Sequence, residues 1–357
     1  MPDYVNRGSY KLKLLGGTRN RSTSIPIDEN TMYDVASITK LYTLLLTFKL
    51  EEMELINLND RVVDINPDFP GLEDFTFNDL IRLCGVLKTQ GNMAKATSKD
   101  EAESILKTLY LEDNSRDKNT YTDFGAMVLS DTIAKIVSKY EGVSMSFDQV
   151  MDKYLFKPLG MQLSTFKPQT DNITGNERDD RKVHDPKARI FGSALGHAGL
   201  VIPSDDFIRL ADALFTVSYV NWEHIKRLGE ITFPDSRLSS KGNLGVYVKD
   251  DRGYDVTYTP LEFSTGSFSA EGWTGPTAIF DPNNKIHYSI LVNSILKDRE
   301  PEFIKADKPI GFLDAFQSYQ VCITPDIMKM FVAREYFKFL DNDEKTQNIE
   351  STIRIGR

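Results

Sequence analysis

Apolar and polar positions change rhythm several times along this chain. From Ser9 to Leu15 they alternate, and the run stops at Gly16-Gly17, which predicts a strand and a turn. Residues 18 to 31 are polar and read as loop. Tyr33 to Lys40 then leads into an apolar run of helix length, Leu41 to Leu50, with helical spacing continuing to Leu55. Pro67 and Pro70 punctuate residues 58 to 90, a stretch of turns and short helices. The spacing predicts helices over Lys99 to Leu109, Phe124 to Tyr140 and Phe147 to Leu155, the last stopped by Pro158 and Gly160. In the second of these, Met127, Val128, Ile133, Ile136 and Val137 make the buried face. Residues 169 to 190 are charged and read as a long loop, the kind of segment that borders active sites. Asp205 to Val217 predicts another helix, capped by Ser204.

After residue 240 strands take over: Leu244 to Val248, Tyr254 to Tyr258, Thr277 to Phe280 and Ile286 to Val292, with a hairpin turn at Asn283-Asn284. Residues 296 to 309 read as loop, Ile327 to Leu340 as a final helix, and the last residues as frayed. One early strand, a helical middle and a cluster of late strands predict an α+β fold. The late strands pair with the early one in an antiparallel sheet flanked by helices, with an inserted helical subdomain. The domain expectation is a single catalytic domain over 1–357, its sheet part made by 1–50 plus 190–357 and its helical part by 51–189.

Composition narrows the function. The net charge is −9 and Lys and Arg are scattered, so no basic stripe for nucleic acid exists. Two cysteines, Cys84 and Cys322, make no disulfide framework or zinc spacing, and the histidines are too dispersed for a metal site. No apolar run approaches the roughly 20 residues of a membrane span, and the first residues do not read as a signal peptide. As written the chain predicts a soluble, cytoplasmic protein; a removed signal or anchor would place it outside the cell or on its surface. Neither a metal nor an organic cofactor is implied.

The chemistry gathers at Ser37-Ile38-Thr39-Lys40. At i and i+3 on a helix, the Ser37 hydroxyl and the Lys40 amine share one face. A buried or charge-crowded lysine can lose its proton near neutral pH and accept the hydroxyl proton, while a helix N-terminus aims N–H groups at developing negative charge. Alone, Ser-x-x-Lys is weak, because a polar helix face produces it by chance.

Ordered companions give it weight. Tyr33 to Lys40, Tyr121-Thr122-Asp123-Phe124-Gly125, Phe156-Lys157-Pro158-Leu159-Gly160-Met161, Val183-His184-Asp185 and Gly196-His197-Ala198-Gly199-Leu200 follow one another from the start of the chain to about residue 295. Together they resemble the serine β-lactamase and penicillin-binding protein superfamily, in its class C-like and esterase branch. The resemblance implies a β-lactamase/transpeptidase-like fold and an acyl-enzyme mechanism. It makes Ser37 the nucleophile, Lys40 its base and Tyr121 the proton relay. It makes the backbone N–H groups of Ser37 and Trp273 the oxyanion donors, and Asp123, Glu271, Gly272 and His184 the residues around the substrate.

Two positions depart from the pattern. Asp123 stands where asparagine is usual. The third motif, usually Lys-Thr-Gly or His-Thr-Gly, falls on Ala270-Glu271-Gly272 when counted back from Asp281-Pro282, and Trp273-Thr274-Gly275 lies three residues late. A basic third motif is missing in either register. Two carboxylates, Asp123 and Glu271, would repel a substrate carboxylate and accept an ammonium or a neutral ester. That directs the expectation to an ester or amide substrate, with a D-aminoacyl ester such as those of teichoic acids the attractive case. The alternatives are a D-Ala-D-Ala carboxypeptidase or β-lactamase acting on peptidoglycan-related compounds, and a catalytically inactive binding or regulatory protein. Ser130-Asp131-Thr132 imitates a catalytic motif but sits inside a helix and reads as structural. His197 reads as a packed loop histidine, Asp185 as a neighbour of the site, and Cys84 as no nucleophile.

Overall fold

In the computed structural model, the described residues are 10–19, 25–175, 183–192, 194–232, 242–249, 263–292 and 349–355. The predicted strand Tyr254 to Tyr258, loop 296 to 309 and helix Ile327 to Leu340, with Cys322, lie outside them. The chain divides into two compact units, Met1–Thr31 with Asp298–Arg357, and Met32–Lys297. Helices and antiparallel strands combine in the second unit, so the α+β expectation holds.

The first unit ties the two ends of the chain together. Strand Tyr10–Gly16 pairs in parallel with Ile349–Ile355, Tyr10 opposite Ile349 and Gly16 opposite Ile355. This corrects two expectations: the early strand joins the end of the chain in parallel, and the last residues are a strand rather than frayed. Ile349, Thr352, Ile353 and Ile355 give that segment the β-branched composition that favours a strand.

The second unit is built around helix Thr39–Glu52. Every residue from Thr39 to Phe48 is buried, as expected of a helix that packs on all sides. Its polar members are satisfied internally. Thr43 Oγ1 donates to the Gly196 carbonyl at 2.7 Å and Thr47 Oγ1 to the Thr43 carbonyl at 2.8 Å. Helix Phe124–Glu141 packs alongside, burying Met127, Val128, Ile133 and Val137 and ending at Gly142 in the left-handed region. Ile136 is only half-buried. The helix predicted from Phe147 runs on, through a widened turn at Asp152–Phe156, to Leu159, and stops at Gly160.

A four-stranded antiparallel sheet completes this unit, in the order Tyr247–Val248, Phe268–Glu271, Thr277–Asp281, Ile286–Ile290. The hairpin at Asn283-Asn284 is held by Asp281, which accepts from Ser264 N and Oγ and from Asn284 N and Nδ2. A short ladder pairs Tyr33–Asp34 with Val201–Ile202 and brings the chain to the start of the central helix. Three local expectations change. Ser204 opens its helix instead of capping it, with Pro203 at the cap. Leu244 and Gly245 take positive φ, which breaks the predicted strand and leaves only Tyr247–Val248 paired. Within the charged stretch 169 to 190, Pro186–Phe191 is a helix.

Candidate active site

Ser37 lies in a single 3-10 turn, Ala36–Ile38, that feeds directly into helix Thr39–Glu52. The turn is anchored on every side. Asp34 Oδ1 accepts from the Ala36 N–H at 2.8 Å, and Val35 N–H donates to the Leu200 carbonyl at 3.0 Å. Thr39 Oγ1 donates to the Ala36 carbonyl at 2.6 Å and accepts from Leu200 N–H at 3.2 Å. Ala36 itself has φ 45°, a left-handed conformation that costs an L-residue free energy and that gathers at functional sites. The anchors hold it there.

Lys40 is 1% exposed, in the middle of the core. Its ammonium donates to Ser37 Oγ at 3.2 Å, to the Asp123 carboxylate at 2.8 Å and to the His197 carbonyl at 3.1 Å. It also lies 5.0 Å from the centre of the Tyr121 ring. Burial draws Lys40 towards the neutral form, but the Asp123 charge and the neighbouring Tyr121 outweigh it and hold the lysine above its usual range. Tyr121 is half-exposed at the rim. Gly245 sits so close to it that a Cβ there would fall 2.2 Å from Tyr121 Cε2.

Asp123 is the hub. Its Oδ1 takes Lys40 and its Oδ2 takes Lys187 at 2.5 Å. Burial opposes its ionisation, and the charge of Lys40, followed by His197 and Lys187, more than offsets this, so its carboxyl lies far below the usual range. Lys187 stands on helix Pro186–Phe191, whose N-cap is Asp185. Asp185 Oδ1 accepts from Ala188 N–H at 2.8 Å and meets His197 Nε2 at 3.0 Å. Asp123, Asp185 and His197 bring one oxygen or nitrogen each within 4.8 Å of one another. Ammonium groups occupy both Asp123 oxygens, however, so the cluster is an ion-pair network balanced from within the chain.

The strand Phe268–Glu271 runs beside the nucleophile turn. A Cβ on Gly272 would fall 2.4 Å from the Val35 carbonyl oxygen, so only glycine lets the two backbones approach this closely. Thr274 Oγ1 donates to the Asp34 carbonyl at 2.7 Å. The strand thus stops at Glu271, and Gly272 follows against the Val35 carbonyl beside the nucleophile turn. Trp273 follows, 59% exposed. Glu271 is half-buried and lies opposite Thr277 in the sheet. His184 joins this region through its backbone, its N–H donating to Asp34 Oδ2 at 2.7 Å.

Ser37, Lys40, Tyr121 and Asp123 thus meet in one cluster, with Gly272 at its edge. Sequence reasoning missed Lys187, which sits in a stretch read as loop. It also gave His197 no part, yet the His197 carbonyl receives Lys40 and its ring, fully buried, pairs with Asp185. The expectation of an unbalanced acidic site changes accordingly, because Lys40 and Lys187 neutralise Asp123. Ser130 is structural, its Oγ donating to the Met127 carbonyl at 2.8 Å. Cys84 is buried, and burial together with the Asp79 charge pushes its thiol up to about 11, which suits a packed side chain rather than a nucleophile.

Known proteins resemble this chain in sequence and in fold. The family model described as Beta-lactamase matches residues 4–305. A protein of Salmonella gallinarum, named provisionally as a D-alanyl-D-alanine carboxypeptidase, is 28% identical over 311 residues, covering 74% of this chain and 69% of its own. Among solved structures, a beta-lactamase from Sulfitobacter sp. EE-36 superposes with a TM-score of 0.61 at 17% identity, over 88% of each chain. FmtA from Staphylococcus aureus superposes with a TM-score of 0.60 at 17% identity, over 94% of this chain and 82% of its own. At such identities the structural likeness concerns the fold alone.

Proposed function

This chain belongs to the beta-lactamase family and is a serine hydrolase, and from that premise we propose that it acts through a Ser37 acyl-enzyme on an ester or amide. The observation that carries this reading is the 3.2 Å approach of a fully buried Lys40 amine to Ser37 Oγ. In the proposed course, Lys40 first gives up its ammonium proton, and Ser37 Oγ then attacks the acyl carbon while its own proton passes to the neutral Lys40 Nζ. Tyr121 gives its phenolic proton to the departing alcohol or amine and regains one from Lys40. Water then attacks the acyl-serine ester and restores the free hydroxyl. The N–H groups of Ser37 and Trp273 are the proposed oxyanion donors; losing one such donor typically costs about 3 kcal/mol.

For the substrate, a neutral or D-aminoacyl ester remains the first reading, because the third-motif position carries Glu271 where a cation would grip a carboxylate. A D-Ala-D-Ala carboxypeptidase or β-lactamase reading gains from the name of the Salmonella relative. The test is hydrolysis of p-nitrophenyl acetate and labelling by a fluorophosphonate, each compared with Ser37→Ala. Loss of both in Ser37→Ala is the expected result; turnover that survives the substitution overturns the mechanism. Covalent labelling by a fluorescent penicillin, abolished in Ser37→Ala, would favour the carboxylate-binding reading over the ester reading.

A further inference from the structure

A lysine serves as a base only in its neutral form. A carboxylate 2.8 Å from Lys40 in a desolvated site works against that form, because it favours the ammonium. This chain has put such a carboxylate, Asp123, where its family usually has a neutral asparagine. The same carboxylate carries a second ammonium, that of Lys187, on its other oxygen. We propose that Asp123 and Lys187 act as one charge-balanced unit that sets the proton affinity of Lys40, with Lys187 as a positioning residue for the reaction and not as a substrate anchor.

The geometry around the pair supports this assignment. Lys187 is held in place by its helix, which begins at Pro186 with Asp185 as the cap. Asp185 is itself fixed by His197. His197 in turn offers its carbonyl to Lys40, so the segment that aims Lys187 also touches the base. The ionisable groups of this cluster come from four places. Lys40 comes from the central helix and Tyr121 and Asp123 from the start of helix Phe124–Glu141. Asp185 and Lys187 come from the short helix, and His197 from the loop after it. Removing the Lys187 charge leaves Asp123 to act on Lys40 alone. One unit charge withdrawn this close in a partly buried site changes the neutral fraction of a neighbouring amine about tenfold or more.

The proposal rests on Ser37 and Lys40 as the acylating pair, and its test keeps the two apart. The pH dependence of kcat/KM for p-nitrophenyl acetate, a substrate with no carboxylate, is measured for the wild type, Lys187→Met, Lys187→Arg, Asp123→Asn and the double variant Asp123→Asn/Lys187→Met. Lys187→Met is expected to move the rising limb to higher pH, lowering kcat/KM at pH 7 about tenfold with recovery at high pH. Asp123→Asn in the same chain should reverse that shift, and Lys187→Arg should keep the wild-type limb. An unchanged limb in Lys187→Met, or a double variant no better than Lys187→Met, overturns the proposal. Should the wild type lack Ser37-dependent turnover, the functional reading fails while this one is still read from the 13C titration of Lys40 Cε. That titration is expected at higher pH in Lys187→Met than in the wild type; equal midpoints overturn it. If Lys187→Met does not fold, Lys187→Gln replaces it with the same expectations.

Discussion

At the scale of single residues, the site depends on close approaches as much as on charges. Tyr121 is 41% exposed, yet its ring is confined against its neighbours. Gly245 is the stop on one side: with φ 80° and no Cβ it lets the chain press against the ring. Gly245→Ala therefore meets two obstacles at once, a left-handed backbone and a Cβ 2.2 Å from Tyr121 Cε2. The ring is an easier thing to move than the chain, so Tyr121 should shift. The expected outcome is a fall in kcat of about 10²-fold, the lower range of what proton transfer by a positioned group contributes. Melting temperature should change far less. The deciding measurement is the pair: Gly245→Ala combined with Tyr121→Phe should be little worse than Tyr121→Phe alone, since both remove the same relay. Two full, independent losses would mean that Gly245 acts on something other than the phenol.

At the scale of elements, Pro186–Phe191 shows how a segment too short to be a stable helix by itself becomes one. Asp185 caps its first turn, Pro186 opens it with a preset φ, and Gly192 closes it at φ 58°. Asp185→Ala should cost about 1 kcal/mol from the cap alone and should also release Lys187 from Asp123. Asp185→Asn keeps a capping oxygen, so thermal unfolding should separate the two variants, with Asp185→Ala the less stable; equal stabilities would remove the cap from the account. The Asp-Pro start and the Gly stop were legible in the sequence, but the charged residues between them carried no apolar period, so the stretch read as loop. Lys187 was hidden for that reason. Helices Thr39–Glu52 and Phe124–Glu141 were legible because their apolar positions recur over three or more turns, and Ser37, Lys40, Tyr121 and Asp123 were legible from the ordered motifs that carry the family resemblance. The pairing of Tyr10–Gly16 was not, since sequence alternation marks a strand without naming its partner.

At the scale of the whole molecule, a chain of net charge −9 with so many buried ionisable groups has a stability that depends on pH. Most of the carboxylates whose range is lowered, among them Asp123, Asp185 and Asp281, lose their contribution only below about 4, where the unfolded chain also begins to protonate. Half-buried Asp34 and buried Asp206 are raised instead, mainly by desolvation, and they oppose acid unfolding because the folded chain takes up their protons first. His287 works in the other direction. Its Nδ1 lies 3.1 Å from the Ile279 carbonyl, and its ring stacks on Phe280 with centres 4.6 Å apart. Burial lowers its range from 6.5 to about 4, partly offset by the Ile279 carbonyl and the charge of Asp212. Between those two values the unfolded chain binds a proton that the folded chain refuses. The His287 contribution to stability is therefore fully present above pH 6.5 and is lost as the pH drops towards 4, by on the order of 2 kcal/mol. His287→Phe keeps the stacked ring and removes the proton. Its urea midpoints, followed from pH 7 to pH 4.5, should fall less steeply than those of the wild type even if it is less stable at neutral pH. Parallel curves would mean that His287 takes up its proton in the folded chain as readily as in the unfolded one.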